Sequence, residues 1–232
     1  MQFRGEIAGA GSTSGVRLVV GRWRASPYGG FADVMIERPD GHRVLLAPDQ
    51  RIADFVAATY TFDEIRVGSV SVAHRESPSP GSVGSGTVGA LPDDRVRARP
   101  IGRPTWSISG PGLGLEMTIG PRTSLGRALR LVPRALAEVP TWTLITDPIA
   151  RVGMRGVRTR GTARAGRREY YGATGIRSIL ALSGAFDGVP LGSLAPVDPP
   201  CAFGFSSTPR RPTLTSVVTT IVDVRQTSGG LP

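Results

Sequence analysis

The sequence predicts a mainly β protein, β-rich α+β in class. The expected form is an antiparallel β-barrel or sandwich with two or three short helices packed outside it or across an opening. Three observations lead there. Glycine (31) and proline (20) are so frequent among the 232 residues that turns and short elements are favoured over long helices. Between these turn residues lie ten to thirteen short runs of strand character. Helical periodicity is confined to two or three stretches.

Residues 16–20 (VRLVV) read as a strand. Residues 31–37 (FADVMIE) alternate apolar and polar positions, Arg38-Pro39-Asp40-Gly41 turns the chain, and residues 42–47 return. An Asp-Gly pair between two such runs is a strong hairpin signal. A helix follows, with Asp49 as its cap and Ile52, Phe55, Val56 and Thr59 on one face at i, i+3, i+4, i+7. Residues 62–73 are expected to resume as a strand, with Ile65 and Val67, and also Val70 and Val72, turned inward. Residues 105–109 and 113–119 form strands joined through Gly110-Pro111-Gly112. An amphipathic helix starts near Ser124: Leu125, Leu129, Val132 and Leu136 share a side, Arg127, Arg130 and Arg134 the other, and Pro133 bends or breaks it. The remaining expected strands are 156–162, 167–173, 178–186, 189–194, 202–206 and 213–225, with a turn at Asp187-Gly188.

The chain reads as a single unit over 1–232 with a Ser/Gly/Pro-rich loop at 76–94, and 1–75 and 95–232 as its possible subdivision. Charge divides at that loop. Residues 1–94 carry 9 Arg and 11 acids, a balance of −2, and residues 95–232 carry 19 Arg and 7 acids, a balance of +12, which together give the net +10. No stretch reaches the roughly 18 apolar residues of a membrane span, and the N-terminus has no signal-peptide apolar region, so a cytoplasmic protein is expected.

Composition removes several chemistries. All 28 basic residues are arginine, so Schiff-base catalysis, a Walker A loop and a Ser-Lys dyad are impossible. One cysteine forbids an internal disulfide and Cys-rich metal sites, and two distant histidines form no HExxH helix. No cofactor and no metal are expected.

Four features remain as candidates, each with an ordinary structural alternative. Seven arginines between 151 and 168, with no acid among them, form a phosphate-holding surface for an anionic ligand, an anionic membrane surface or nucleic acid, or else a solvated sheet face. Nucleic acid is disfavoured, because few aromatics interleave with the charge. The patch Arg167, Arg168, Glu169, Tyr170, Tyr171 offers a carboxylate, phenols and guanidiniums to a cavity, or ordinary cross-strand pairing. Trp23 and Tyr28, around Ser26-Pro27 and Gly29-Gly30, edge a ligand pocket or plug the end of a sheet. His42, with Asp33, Glu37 and Asp40 nearby in sequence, is a possible neutral-pH base or an exposed hairpin residue. Cys201 reads as a small buried residue rather than a nucleophile, and residues 9–15 resemble a phosphate loop in composition only.

The segments SPYGGFADVMIERPDGHRVLLAP at 26–48, RREYYG at 167–172 and FGFSSTPRRP at 203–212 resemble an uncharacterised protein family of high-GC actinobacteria. That resemblance implies one conserved unit and brings no catalytic residues with it. The many-stranded pattern opened by Gly21-x-Trp23 is loosely similar to lipocalin-like (calycin) barrels. The leading expectation is a protein binding a small, partly apolar ligand, with an anionic group met by Arg167 or Arg168. In that case a large apolar cavity is lined by Trp23, Tyr28, Tyr170, Tyr171 and Phe203. The alternatives are an enzyme independent of metal and lysine, using carboxylate, Tyr or His42 as acid and base, and association with anionic surfaces or nucleic acid through residues 95–168. Oligomeric state is left open.

Overall fold

The computed structural model describes residues 1–75, 103–128, 160–162, 167–204 and 208–223, with backbone alone at 128, 160–162, 167–171 and 221–223. The elements in chain order are β1 (Gln2–Ser12), β2 (Arg17–Ala25), β3 (Phe31–Glu37), β4 (Arg43–Ala47), α1 (Gln50–Ala57), β5 (Glu64–Val67) and β6 (Ser71–Arg75). There follow β7 (Thr105–Gly110), β8 (Leu113–Arg122), α2 (Ser124–Ala128), β9 (Arg160–Thr162), β10 (Arg167–Phe186), β11 (Val189–Pro190), β12 (Leu194–Ala195) and β13 (Thr213–Asp223). The β-rich class expected from the sequence is the one observed.

One sheet contains these strands, in the order β5-β4-β3-β2-β1-β13-β10-β8-β7-β6, with β9, β11 and β12 as side branches. Every pair is antiparallel except β4–β5, which α1 joins as a parallel crossover, so the sheet is mixed rather than purely antiparallel. Its curl follows from chain connectivity. Ten strands in a flat sheet put the edge strands roughly 43 Å apart, at about 4.8 Å per interval. Yet Val67 at the end of β5 and Ser71 at the start of β6 are four residues apart, a reach of at most about 14 Å. The sheet therefore rolls into a half-barrel. Arg66 on β5 and Arg38 after β3 reach across to Asp187 in the β10–β11 turn and hold the roll at one end.

The concave side carries the main hydrophobic core. Ala8, Leu18, Val34 and Leu46 from the first strands meet Trp106, Ile108, Met117, Ile119, Leu182 and Phe186 from the later ones, with Val70 and Val72 packed against them. The convex side of β1–β4 is also covered, by α1 and by the segment around Val197 to Phe203. These central strands are thus buried on both faces, and the second face holds the candidate site.

Several sequence expectations change. Residues 62–73 are two strands broken at Gly68–Val70, and they lie at opposite edges of the sheet. Ile65 and Val67, expected inward, are exposed, because β5 is an edge strand paired with β4. The runs 167–173 and 178–186 fuse into β10, which bends through register shifts and passes from β13 to β8 as its partner. The expected strand at 189–194 is two short pieces. Residues 201–204 form no strand; they lie against the convex face instead. The glycines at 9 and 11 are strand residues of β1, and Gly15 turns the chain into β2, so no phosphate loop exists there. Both Asp-Gly turns are hairpins as expected. Only the first residues of the amphipathic helix, α2, are described. The 76–94 loop and the arginines from 151 to 158 lie outside the described residues. No helix among the described residues is long and apolar enough to cross a membrane.

Candidate functional site

A cavity of about 60 Å³ lies between the convex face of the sheet and α1, partly open to solvent. Register explains its floor. On β1, β2 and β3 the outward residues at one level are Ile7, Gly21 and Asp33, and at the next Gly5, Trp23 and Phe31. Thr219 on β13 stands opposite Phe3 and adds the far wall. The roof is α1, which Asp49 starts by accepting the Ile52 N–H at 2.8 Å. Phe55 and Val56 look down from the helix, and Thr59 and Tyr60 follow its end. Phe55 stacks on Phe3 at 5.1 Å between centroids, and Trp23 meets Phe3 edge-on at 5.7 Å. Aromatic packing thus holds the walls.

The polar groups are few and specific. Asp33 is 5 % exposed, and its Oδ1 accepts the indole N–H of Trp23 at 2.9 Å. That arrangement needs a glycine at 21. A Cβ there would collide with Asp33 Oδ1 and lie 2.8 Å from Trp23 Nε1, so the missing side chain is the space in which carboxyl and indole meet. Burial pushes the Asp33 carboxyl up to about 6, against the opposing effect of the Trp23 hydrogen bond. Among the described residues no arginine or histidine pairs with it. The hydroxyls of Thr59 and Thr219, 6 % and 3 % exposed, line the same cavity and have no hydrogen-bond partner among the described residues. Three buried polar side chains thus line an otherwise apolar, partly aromatic space, whereas buried polar groups ordinarily have partners.

The predicted site residues divide. Trp23 lines the cavity. Tyr28 stands behind it, 6.2 Å from Phe3 and 5.0 Å from Phe55 between ring centroids. Phe203 packs in the neighbouring cluster with Val19, Val197 and Cys201, and Phe62 lies 5.8 Å from its ring. Arg167, Arg168, Glu169, Tyr170 and Tyr171 belong to β10, where Tyr171 is in register with Thr219 and Tyr170 with Thr220. Their side chains lie outside the described residues. Sequence reasoning missed the cavity's own residues: Phe3, Thr59 and Thr219, and Asp33 in its actual role. The outward positions of β3 carried a signal, since Phe31, Asp33, Met35 and Glu37 mix acids with large apolar residues, as a covered polar face does.

His42 has a different environment. Its Nε2 is 3.2 Å from Glu64 at the partly exposed end of the β3–β4 hairpin, away from the cavity. Glu64 also accepts from Arg66 at 2.6 Å, and Arg66 continues to Asp187. The guanidiniums of Arg38 and Arg66 lie 5.3 and 5.2 Å from the Phe186 ring, so this group closes the rolled sheet. Beyond the cavity on the convex face, Arg17 and Glu37 form a buried ion pair at 2.7 Å, and Glu37 also accepts the Ala202 N–H at 2.7 Å. That pair fixes the covering segment. Cys201 is buried, as expected, and burial pushes its thiol up to about 12. Among the described residues no group of three or more His, Cys, Asp and Glu is placed to hold a metal ion. Comparison with protein-family models, with curated proteins and with solved structures gives no match.

Proposed function

We propose that the protein binds a small, partly apolar ligand in the cavity between the convex sheet face and α1. The reading places the ligand outside the rolled sheet, whose concave side carries the main hydrophobic core. One observation carries it: a cavity of about 60 Å³ with aromatic walls contains two buried hydroxyls without partners and a buried carboxyl without a countercharge among the described residues. Groups of this kind are costly to leave unmet and are the means by which apolar pockets orient a ligand. The volume suits a molecule of a few non-hydrogen atoms, or the buried end of a longer one.

The test is native mass spectrometry of the protein purified from its own host, alongside the variant Ile7→Trp, which puts an indole into the cavity. A small adduct on the wild type that is lost in the variant is the expected result. A wild type without adduct, whose Tm is unmoved by every member of a panel of small partly apolar compounds, would overturn the reading.

A further inference from the structure

This inference rests on the ligand-binding reading and names the chemical class that the reading leaves open. Charge accounting on the convex face singles out one group. Arg17 neutralises Glu37, and Arg43 neutralises Asp63 with a bidentate contact at 2.9 Å from each oxygen. Asp33 has no such partner among the described residues. Trp23 occupies Oδ1, and among the described residues nothing donates to Oδ2. Thr59 Oγ1 and Thr219 Oγ1 are two more oxygens on the same cavity without a partner among the described residues. The lining residues include no Arg or His. Three oxygens, one of them on a carboxyl without a countercharge among the described residues, therefore line a small space bounded by the rings of Trp23, Phe31 and Phe55.

We propose that the cavity receives a small primary ammonium ion carried on a compact apolar body. Asp33 supplies the countercharge, and Thr59 and Thr219 accept the remaining N–H groups. An ammonium has three N–H donors and no acceptor, and the cavity offers it Asp33 Oδ2 and two threonine hydroxyls, each able to accept as well as to donate. Aromatic ring faces add attraction for a cation held among them. An alcohol of the same shape brings one donor and leaves the carboxylate without a countercharge. A carboxylate ligand would add a second buried negative charge, which is strongly unfavourable.

The experiment measures binding of three isosteric probes, 3-methylbutylamine, 3-methylbutanol and 3-methylbutanoate, by thermal shift and by Trp fluorescence, on wild type and on Asp33→Asn. The amine is expected to bind wild type at least about tenfold more tightly than the alcohol, with no binding of the acid. Asp33→Asn is expected to remove the amine's advantage while leaving alcohol binding in place. Equal binding of amine and alcohol by wild type, or an amine preference that survives Asp33→Asn, overturns the ammonium assignment and leaves the ligand-binding reading standing. Failure of all three probes to bind the wild type overturns the ammonium assignment, and the ligand-binding reading is then judged by its own adduct experiment. Thr219→Val serves as a second variant, expected to weaken the amine more than the alcohol.

Discussion

Asp33→Asn keeps a carbonyl oxygen for the Trp23 N–H and removes the buried charge, so it isolates the electrostatic cost of the site. In the unfolded chain this carboxyl loses its proton around 3.8, and in the folded protein it holds the proton until about 6. Between those values the folded state binds more protons than the unfolded state, so stability falls as pH rises. Below 3.8 both states are protonated and the charge costs nothing; above about 6 both are ionised and the full penalty operates. A shift of about two units at about 1.4 kcal/mol each gives about 3 kcal/mol. Asp33 is 5 % exposed, so solvent screening takes little from that figure. The variant should exceed wild type in urea-unfolding free energy by about 3 kcal/mol at pH 7 and above, and by about half that at pH 5. Comparison of the two proteins at each pH cancels the titration of every other group. A variant less stable than wild type above pH 7, or a difference that does not change between the two pH values, would refute the reasoning.

Glu37→Ala removes one partner of a buried ion pair and the acceptor of the Ala202 N–H, so urea unfolding should report a loss of about 3–5 kcal/mol. A loss under about 1 kcal/mol would mean that the covering segment is held by its other contacts, the Thr61 N–H to the Phe203 carbonyl among them, rather than by the ion pair. Asp187→Asn removes the charge that Arg66 and Arg38 share across the sheet edges and tolerates the left-handed backbone at φ 51. It should cost about 1 kcal/mol at low salt and less in molar salt. Arg66 and Arg38 hold the Asp187 carboxyl below its ordinary value of 3.8, so its contribution is present above 3.8 and is lost as pH falls. Cys201, with its thiol pushed up to about 12, should resist iodoacetamide in the native protein at pH 8 and react promptly in urea. Rapid native alkylation would contradict its burial.

Local patterns were legible where one chemical signal sufficed. Asp-Gly at 40–41 and 187–188 marked two hairpins, Asp49 marked the start of α1, and the alternation of FADVMIE marked β3. β1 was missed because glycines at 5, 9 and 11 look like loop residues. In the structure they face neighbours too close for a side chain, namely Trp23, Thr208 and the Pro196 carbonyl. Residues 62–73 read as one strand because the break at Gly68 is a matter of sheet closure, and β-propensity on both sides of it is ordinary. The cavity was the least legible feature. Its residues come from 3–7, 19–23, 31–35, 55–60 and 219, and no local spacing relates them.

What the sequence determined by itself was class and chemistry. Turn residues and strand runs dictate a β-rich chain, and the absence of lysine with a single cysteine removes whole reaction types whatever the fold. What only the tertiary structure decided was where on the sheet a cavity lies and which charges are paired among the described residues. The concave side carries the main core because side chains from strands on both halves of the curled sheet meet there, whereas the convex side of β1–β4 is covered by α1 and the segment around Val197 to Phe203. Asp33 reads in the sequence as one acid among eighteen. It becomes distinct once β2 and β3 pair in register over Gly21 and α1 closes above, because pairing and burial decide the energy of a charge.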